Sequence, residues 1–397
     1  MRLYNTMSRT KDEFEAGPVV ALYVCGVTPY DTTHLGHAFS YAAFDVLIRT
    51  LRYLGHEVRY TQNVTDIDDD ILKRSKSIGV PWDELGREQT ELFQRDMSDL
   101  NVLPPTHYPR ATEEIPGMVG MIQQLVEQGN AYQVGSQVYF AAATAPNFGM
   151  LARLPREEML KRFEDTGDSP NNPEKRDKLD FLLWKGSGEG EPSWDSPWGA
   201  GRPGWHIECS TMAVRYLGPR IDIHGGGDDL IFPHHSCEIA QSEQATGQAP
   251  FSRIWMHNGV ARLDGVKMSK SLGNLVMVRE LLGRFSPDAI RLYLLRHHYR
   301  DSFDYDEKEL VRAANDAALL QRRVEKIGAD DDVTVDSDQL PQGVKVARRL
   351  CIAALVDDLN TPDATRAMME LATIDGDEAG IILRQLAGVM GLRLRRS

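Results

Sequence analysis

The sequence predicts an α/β fold, a parallel nucleotide-binding sheet followed by helices, and three stretches carry that prediction. VVALYVCG, from Val19 to Cys25, is apolar and valine-rich and reads as a buried strand. TPYDTT then supplies turn and cap residues. From His34 the pattern becomes helical, with Phe39, Ala43, Leu47 and Leu51 on or near one face and Gly55 as the stop. EVRYTQNV follows as a second strand, completing a strand–helix–strand unit of the kind that begins a parallel sheet. Farther along, RIDIHGGGDDLIF reads as a strand running into a glycine-rich turn, where positive φ and the missing side chains let a nucleotide approach.

Residues from about 80 to 165 read as a mostly helical insertion with polar connections, interrupted by the short strand QVYFAA. GSGEGEPSWDSPWGAGRPG is loop-forming. After Lys267 the pattern stays helical, with an acidic linker, GADDDVTVDSDQLPQG, between two helical stretches. The expected division is a core over residues 1–285, with its insertion at about 80–165, and a helical stem and domain over 286–397.

With 42% hydrophobic and 26% charged residues, the composition is that of an ordinary globular protein. The first residues, MRLYNTMSRTKDEF, hold no apolar targeting core, and no apolar run approaches the ~18 residues of a membrane span. A cytoplasmic protein without membrane contact, and a monomer, is the expectation. A net charge of −13 disfavours nucleic-acid binding through a global basic field. The four cysteines, Cys25, Cys209, Cys237 and Cys351, are too dispersed for a disulfide framework or a compact zinc finger. They leave open a metal site assembled from distant segments.

Two motifs carry phosphate chemistry. In HLGH, His34 and His37 open the first crossover helix, where free N–H groups and the helix dipole favour negative charge. Imidazoles there can donate to charge developing on phosphate oxygens, and Gly36 allows close approach. KMSKS offers Lys267 and Lys270 on a loop, two mobile ammonium groups suited to a departing pyrophosphate. In HGGGDDL, Asp229 can accept from ribose hydroxyls. His234 and Glu238 stand at i and i+4, on one helical face, although Cys237 at i+3 faces roughly the same way. Each cysteine alone reads most simply as a small buried apolar residue.

HLGH and KMSKS together resemble the signature pair of class I aminoacyl-tRNA synthetases, and the chain is similar over nearly its whole length to their cysteine-activating group. The resemblance implies a Rossmann-type class I core that activates cysteine with ATP and magnesium. It also implies one zinc per chain on Cys25, Cys209, His234 and Glu238, leaving Cys237 out. Zinc that takes a substrate thiolate would separate cysteine from serine by metal–sulfur bonding, which size could not do. The cysteinyl-adenylate site implied includes Cys25, Gly26, Val27, Thr28 and Ser40 beside HLGH. To these it adds Asn63, Val64 and Thr65 of NVTD, Trp205 as a pocket wall, and Gly227, Asp228 and Asp229. An acidic helix cap is the plainer reading of NVTDIDDD, and a core indole that of Trp205.

Two families share this core: cysteinyl-tRNA synthetases and the mycothiol-pathway ligases that join cysteine to the amine of glucosaminyl-inositol. TPYDTTHLGHA, Phe39 where synthetases usually carry Arg, Asp70 where they carry Lys, and KRFEDTGDSPNNPEKRDKLDFLLWK resemble the ligases. VLPP, GNLVMV and the absence of a distinct anticodon-reading module after the helical domain point the same way. Glu238, which these ligases lack, together with IDIHGGG, HHSCEIAQSE and KMSKSLGN, resembles the synthetases. The expected acceptor is the amino sugar, with tRNA(Cys) the alternative.

Overall fold

A computed structural model describes residues 1–30, 33–269, 272–327 and 339–394. Its centre is a four-stranded sheet in the order Ser252–Asn258, Ile221–Gly227, Val19–Val27 and Glu57–Val64, every pair parallel. The crossover helix, Leu35–Tyr53, begins one residue after His34 and buries Phe39, Ala43, Leu47 and Leu51 against the sheet and the helices beyond it.

Two local features of this sheet shape the site. The first strand runs two residues past Cys25, and its pairing with Glu57–Val64 slips between Val24 and Val27. Such an irregularity re-aims side chains, and it takes Cys25 and Gly26 out of the regular ladder. The second feature corrects the expectation of a glycine turn: Gly225, Gly226 and Gly227 belong to the strand, and none has positive φ. Their smallness is needed sideways. A Cβ on Gly225 would lie 2.3 Å from the Phe44 ring, and one on Gly226 would lie 3.1 Å from the His235 ring.

QVYFAA is no isolated strand. Gln137–Phe140 sits inside an antiparallel sheet with Ala131–Val134, Phe181–Gly186 and Gly201–Pro203, so the loop-forming stretch also ends in a short strand. Helices Trp82–Asp99, Ile115–Glu127 and Arg156–Asp165 accompany it. Phe140, Phe163, Phe181 and Trp184 fill its interior and continue one apolar cluster under Tyr23, Cys209 and Cys237.

A second cluster joins the crossover helix to the helices after Lys267, namely Val278–Leu282, Pro287–Leu295, Glu307–Glu325, Gln342–Val356, Thr361–Ala372 and Asp377–Val389. Most of the acidic linker lies outside the described residues. Among the described residues no helix is long and apolar enough to cross a membrane. An N-terminal hairpin, Arg2–Asn5 with Thr10–Glu13, which the sequence did not announce, caps the sheet edge, Thr6 N–H donating to the Trp255 carbonyl at 2.9 Å.

Candidate active site

HLGH and the chain just after KMSKS meet beyond the first strand of the parallel sheet. His34 is the N-cap of the crossover helix, its Nδ1 accepting from the Gly36 N–H at 3.1 Å, and its ring stacks on that of His37 at 3.8 Å. A Cβ on Gly36 would lie 2.9 Å from the His34 ring, so the glycine admits the cap itself. Backbone bonds tie this segment to the chain just after KMSKS: Leu35 N–H donates to Val276 O at 2.9 Å and Val278 N–H to Thr33 O at 3.0 Å. Lys267 reaches across to Asp229, with Nζ 2.8 Å from Oδ2 and both side chains about half exposed (47% and 53%). Such an exposed pair contributes under about 1 kcal/mol, so it tethers the lysine loosely. Lys270 lies outside the described residues. Ser40 is half-buried on the crossover helix just past His37, and Gly227, Asp228 and Asp229 close the opposite rim.

A polar chain lines the floor between the first two strands. Gly26 N–H donates to Asn63 Oδ1 at 2.8 Å, and Asn63 Nδ2 donates to Thr65 Oγ1 at 3.2 Å. The Thr65 hydroxyl is also bonded to the buried Glu208 carboxyl. Both ends of the Asn63 amide therefore hold the framework, and Asn63 is fully buried. A Cβ on Gly26 would overlap the Asn63 carbonyl at 1.6 Å, which explains that glycine. Thr65 N–H reaches Val27 O at 3.2 Å, and Val27 pairs with Val64. Thr28 follows, half-buried, at the strand end.

Asp68 caps the next helix, Oδ1 accepting from Ile71 N–H at 2.7 Å. Burial lifts its carboxyl to about 6 from 3.8, against the opposing pull of that cap bond. A raised folded value makes ionisation destabilising: the stability is present below pH 4 and is lost as pH rises through about 6. Asp68→Asn keeps the cap without the charge. Thermal melts from pH 4 to 8 are expected to show it gaining roughly 2–3 kcal/mol on the wild type across that interval. A pH-independent difference would mean that Asp68 ionises freely.

Beside this floor the chain gathers Cys25, Cys209, His234 and Glu238, all buried, with one donor atom from each within 4.8 Å of the others. Cys25 Sγ lies 3.8 Å from Cys209 Sγ and 3.5 Å from Glu238 Oε1, and His234 Nε2 lies 3.1 Å from Glu238 Oε1. Cys209 comes from helix Trp205–Leu217. His234 lies on the irregular turn Ile231–His235, and Glu238 is in the first turn of Ser236–Thr246. Cys237, buried in the apolar cluster that also holds Cys25 and Cys209, belongs to neither group of converging donors.

Burial pushes the Cys25 and Cys209 thiols up and the His234 and His235 imidazoles well down. His234 Nε2 and Glu238 Oε2 make no hydrogen bond despite full burial. Unsatisfied ligand atoms of this kind converging on one point fit a divalent cation, which favours the thiolate over the thiol. Trp205 stacks on His234 at 4.3 Å and walls this side.

Sequence reasoning missed the histidines behind the set. His206 Nδ1 meets His234 Nδ1 at 2.9 Å; His235 Nδ1 meets His257 Nε2 at 2.7 Å; and His257 Nδ1 meets Thr6 Oγ1 at 2.7 Å. His206 and His257 are each pushed down to about 3, chiefly by burial. A neutral imidazole on the far nitrogen of a metal ligand fixes its orientation. His206 and His235 stand inside GWHIEC and HHSCE, beside the ligands read from them, whereas His257 carries no such signal.

Residues 13–315 match the family described as tRNA synthetases class I (C) catalytic domain. The chain belongs to this class I synthetase family. Within it, the chain is 43% identical to an L-cysteine:1D-myo-inositol 2-amino-2-deoxy-alpha-D-glucopyranoside ligase of Thermobispora bispora, across 99% of this chain and 96% of that one. It is 41% identical to a cysteine–tRNA ligase of Dehalococcoides mccartyi, across 99% and 86%. Among solved class I synthetases, Mycobacterium tuberculosis methionyl-tRNA synthetase in complex with methionyl-adenylate is similar in fold. It has a TM-score of 0.65 at 18% identity and covers 94% of this chain and 89% of its own.

Proposed function

We propose that this class I synthetase relative activates L-cysteine with ATP and passes the cysteinyl group to the amine of glucosaminyl-inositol, forming an amide. The observation that carries the first step is the buried Cys25–Cys209–His234–Glu238 set beside Trp205. Zinc bound there supplies thiolate affinity and so the preference for cysteine over serine. Trp205 bounds the pocket, while Gly26, Thr65 and Asp229 border the space for the amine, carboxylate and adenylate. The carboxylate attacks the α-phosphorus and pyrophosphate leaves. His34 and His37 donate to the phosphate oxygens, Lys267 and Lys270 neutralise the leaving group, and magnesium accompanies ATP. Residues 1–285 do this chemistry, and 286–397 form the helical stem and domain of a cytoplasmic monomer.

The amino-sugar acceptor is supported by the similarity to the Thermobispora bispora ligase along almost that protein's whole length. The reading of Glu238 as a fourth metal ligand favours transfer to tRNA(Cys) instead. Purified protein with ATP, magnesium and labelled cysteine, offered glucosaminyl-inositol and tRNA(Cys) in parallel, decides between them. Amide product with uncharged tRNA is expected; charged tRNA without amide would make this chain a cysteinyl-tRNA synthetase.

A further inference from the structure

We infer that the buried donor cluster holds a second, inner position for the same divalent cation, formed by Cys25, His224, His235 and Glu238. The inference rests on the reading of the Cys209–His234 side as a metal site, which supplies the outer position. Among the described residues these two sets of four, and no others, bring one donor atom each within 4.8 Å of one another. Tetrahedral bonds of about 2.0–2.3 Å set donors roughly 3.3–3.7 Å apart. Cys25 Sγ lies 3.3 Å from His235 Nε2, 3.6 Å from His224 Nε2 and 3.5 Å from Glu238 Oε1, while Glu238 Oε2 lies 3.5 Å from His224 Nε2. His235 Nε2 and Glu238 Oε1 stand wider, at 3.9 Å, so the inner pairs spread over 3.3–3.9 Å where the outer ones spread over 3.1–3.8 Å.

One inner imidazole, His235, is also built as a ligand is built. His235 is oriented by His257, and His257 by Thr6, just as His234 is oriented by His206. His224 stacks on Trp255 at 4.5 Å, and its Nδ1 is buried without a hydrogen bond. Its Nε2 is the nitrogen that faces Cys25 and Glu238, so Nδ1 is the far nitrogen and has no orienting partner. Because Cys25 and Glu238 are common to both sets, the ion occupies one position at a time. Trp205 covers the outer imidazole and Trp255 the inner pair, so an ion held inside is turned away from the wall of the thiol pocket. One thiolate, two imidazoles and a carboxylate suit zinc or cobalt.

Cobalt(II) titration of the metal-free full chain reads the two positions separately, because thiolate-to-cobalt absorption scales with the number of sulfur ligands. Cys209→Ser combined with His234→Ala is expected to retain one cobalt per chain with that absorption about halved. Adding His224→Ala or His235→Ala should then weaken binding at least about tenfold. Loss of all binding in the first variant, with its circular dichroism unchanged, overturns the inner position, as does binding indifferent to His224 and His235. If the paired change unfolds the chain, Cys209→Ser alone gives the same test. Half-intensity absorption sensitive to His224→Gln supports the inner set, and absence of binding overturns it. No cobalt on the wild type would instead sink the outer reading and the inference together.

Discussion

Cys25→Ala is expected to strip the protein of its metal and to lower kcat/KM for cysteine in ATP–pyrophosphate exchange on the order of 10³-fold, about 4 kcal/mol of lost stabilisation. With Glu238, Cys25 is one of the two side chains common to both donor sets. Its Sγ faces Cys209, His224, His235 and Glu238 between 3.3 and 3.8 Å, so both donor sets lose a corner together. Removal of Cys209 alone leaves the inner set intact, which is why Cys25 is the sharper test. Cys25→Ser separates ligand chemistry from volume. An alkoxide or hydroxyl is a harder, weaker partner for zinc than a thiolate, so this variant should keep the fold, bind metal poorly and lose the preference for cysteine over serine. The measurements are metal per chain by elemental analysis and cysteine-dependent exchange with serine as competitor. One full equivalent of zinc and an unchanged KM for cysteine in Cys25→Ala would dispose of the site.

What was legible in the sequence follows physical lines. The first strand–helix–strand unit showed itself because strand and helix periodicities alternate cleanly there and both elements are buried on a regular face. His234 and Glu238 showed themselves through one helical turn of spacing, yet the choice of Glu238 over Cys237 came from the resemblance. Three residues and four residues point nearly the same way on a helix. The backing histidines were illegible because His206, His224 and His257 reach the site from three separate elements, at separations no local pattern encodes. The antiparallel sheet was half hidden for a similar reason. Gln137–Phe140 finds its partner Phe181–Gly186 only across an intervening helix, and Gly201–Pro203 is three residues long within a Gly/Pro-rich stretch. The glycine run was read for the wrong neighbour, since nothing local announces that Phe44 and His235 press against it.

The largest effect on stability is expected at Asp45, midway along the crossover helix, where that helix meets the helical domain. Its Oδ2 accepts from Arg49 Nε at 2.7 Å and from the fully buried Arg291, while Oδ1 accepts from Leu103 N–H at 2.9 Å. Arg291 in turn donates to the carbonyls of Met390 at 2.7 Å and Leu100 at 3.1 Å. Its guanidinium lies under Gly391, φ +72°, where a Cβ would fall 2.1 Å from Nη2. One carboxylate thus joins the crossover helix, the chain after Trp82–Asp99, helix Pro287–Leu295 and the C-terminal segment. Asp45→Ala leaves a guanidinium buried without its counter-charge, a loss of about 3–5 kcal/mol. Arg291→Met is expected to cost less than half of that: methionine fills the volume, and Asp45 keeps Arg49, which is 15% exposed and already paired with it. For a chain of this size the melting point of Asp45→Ala should fall by roughly 5 °C. Scanning calorimetry of the two variants side by side measures the asymmetry, and equal losses would show that Arg49 does not compensate Asp45 once Arg291 is gone.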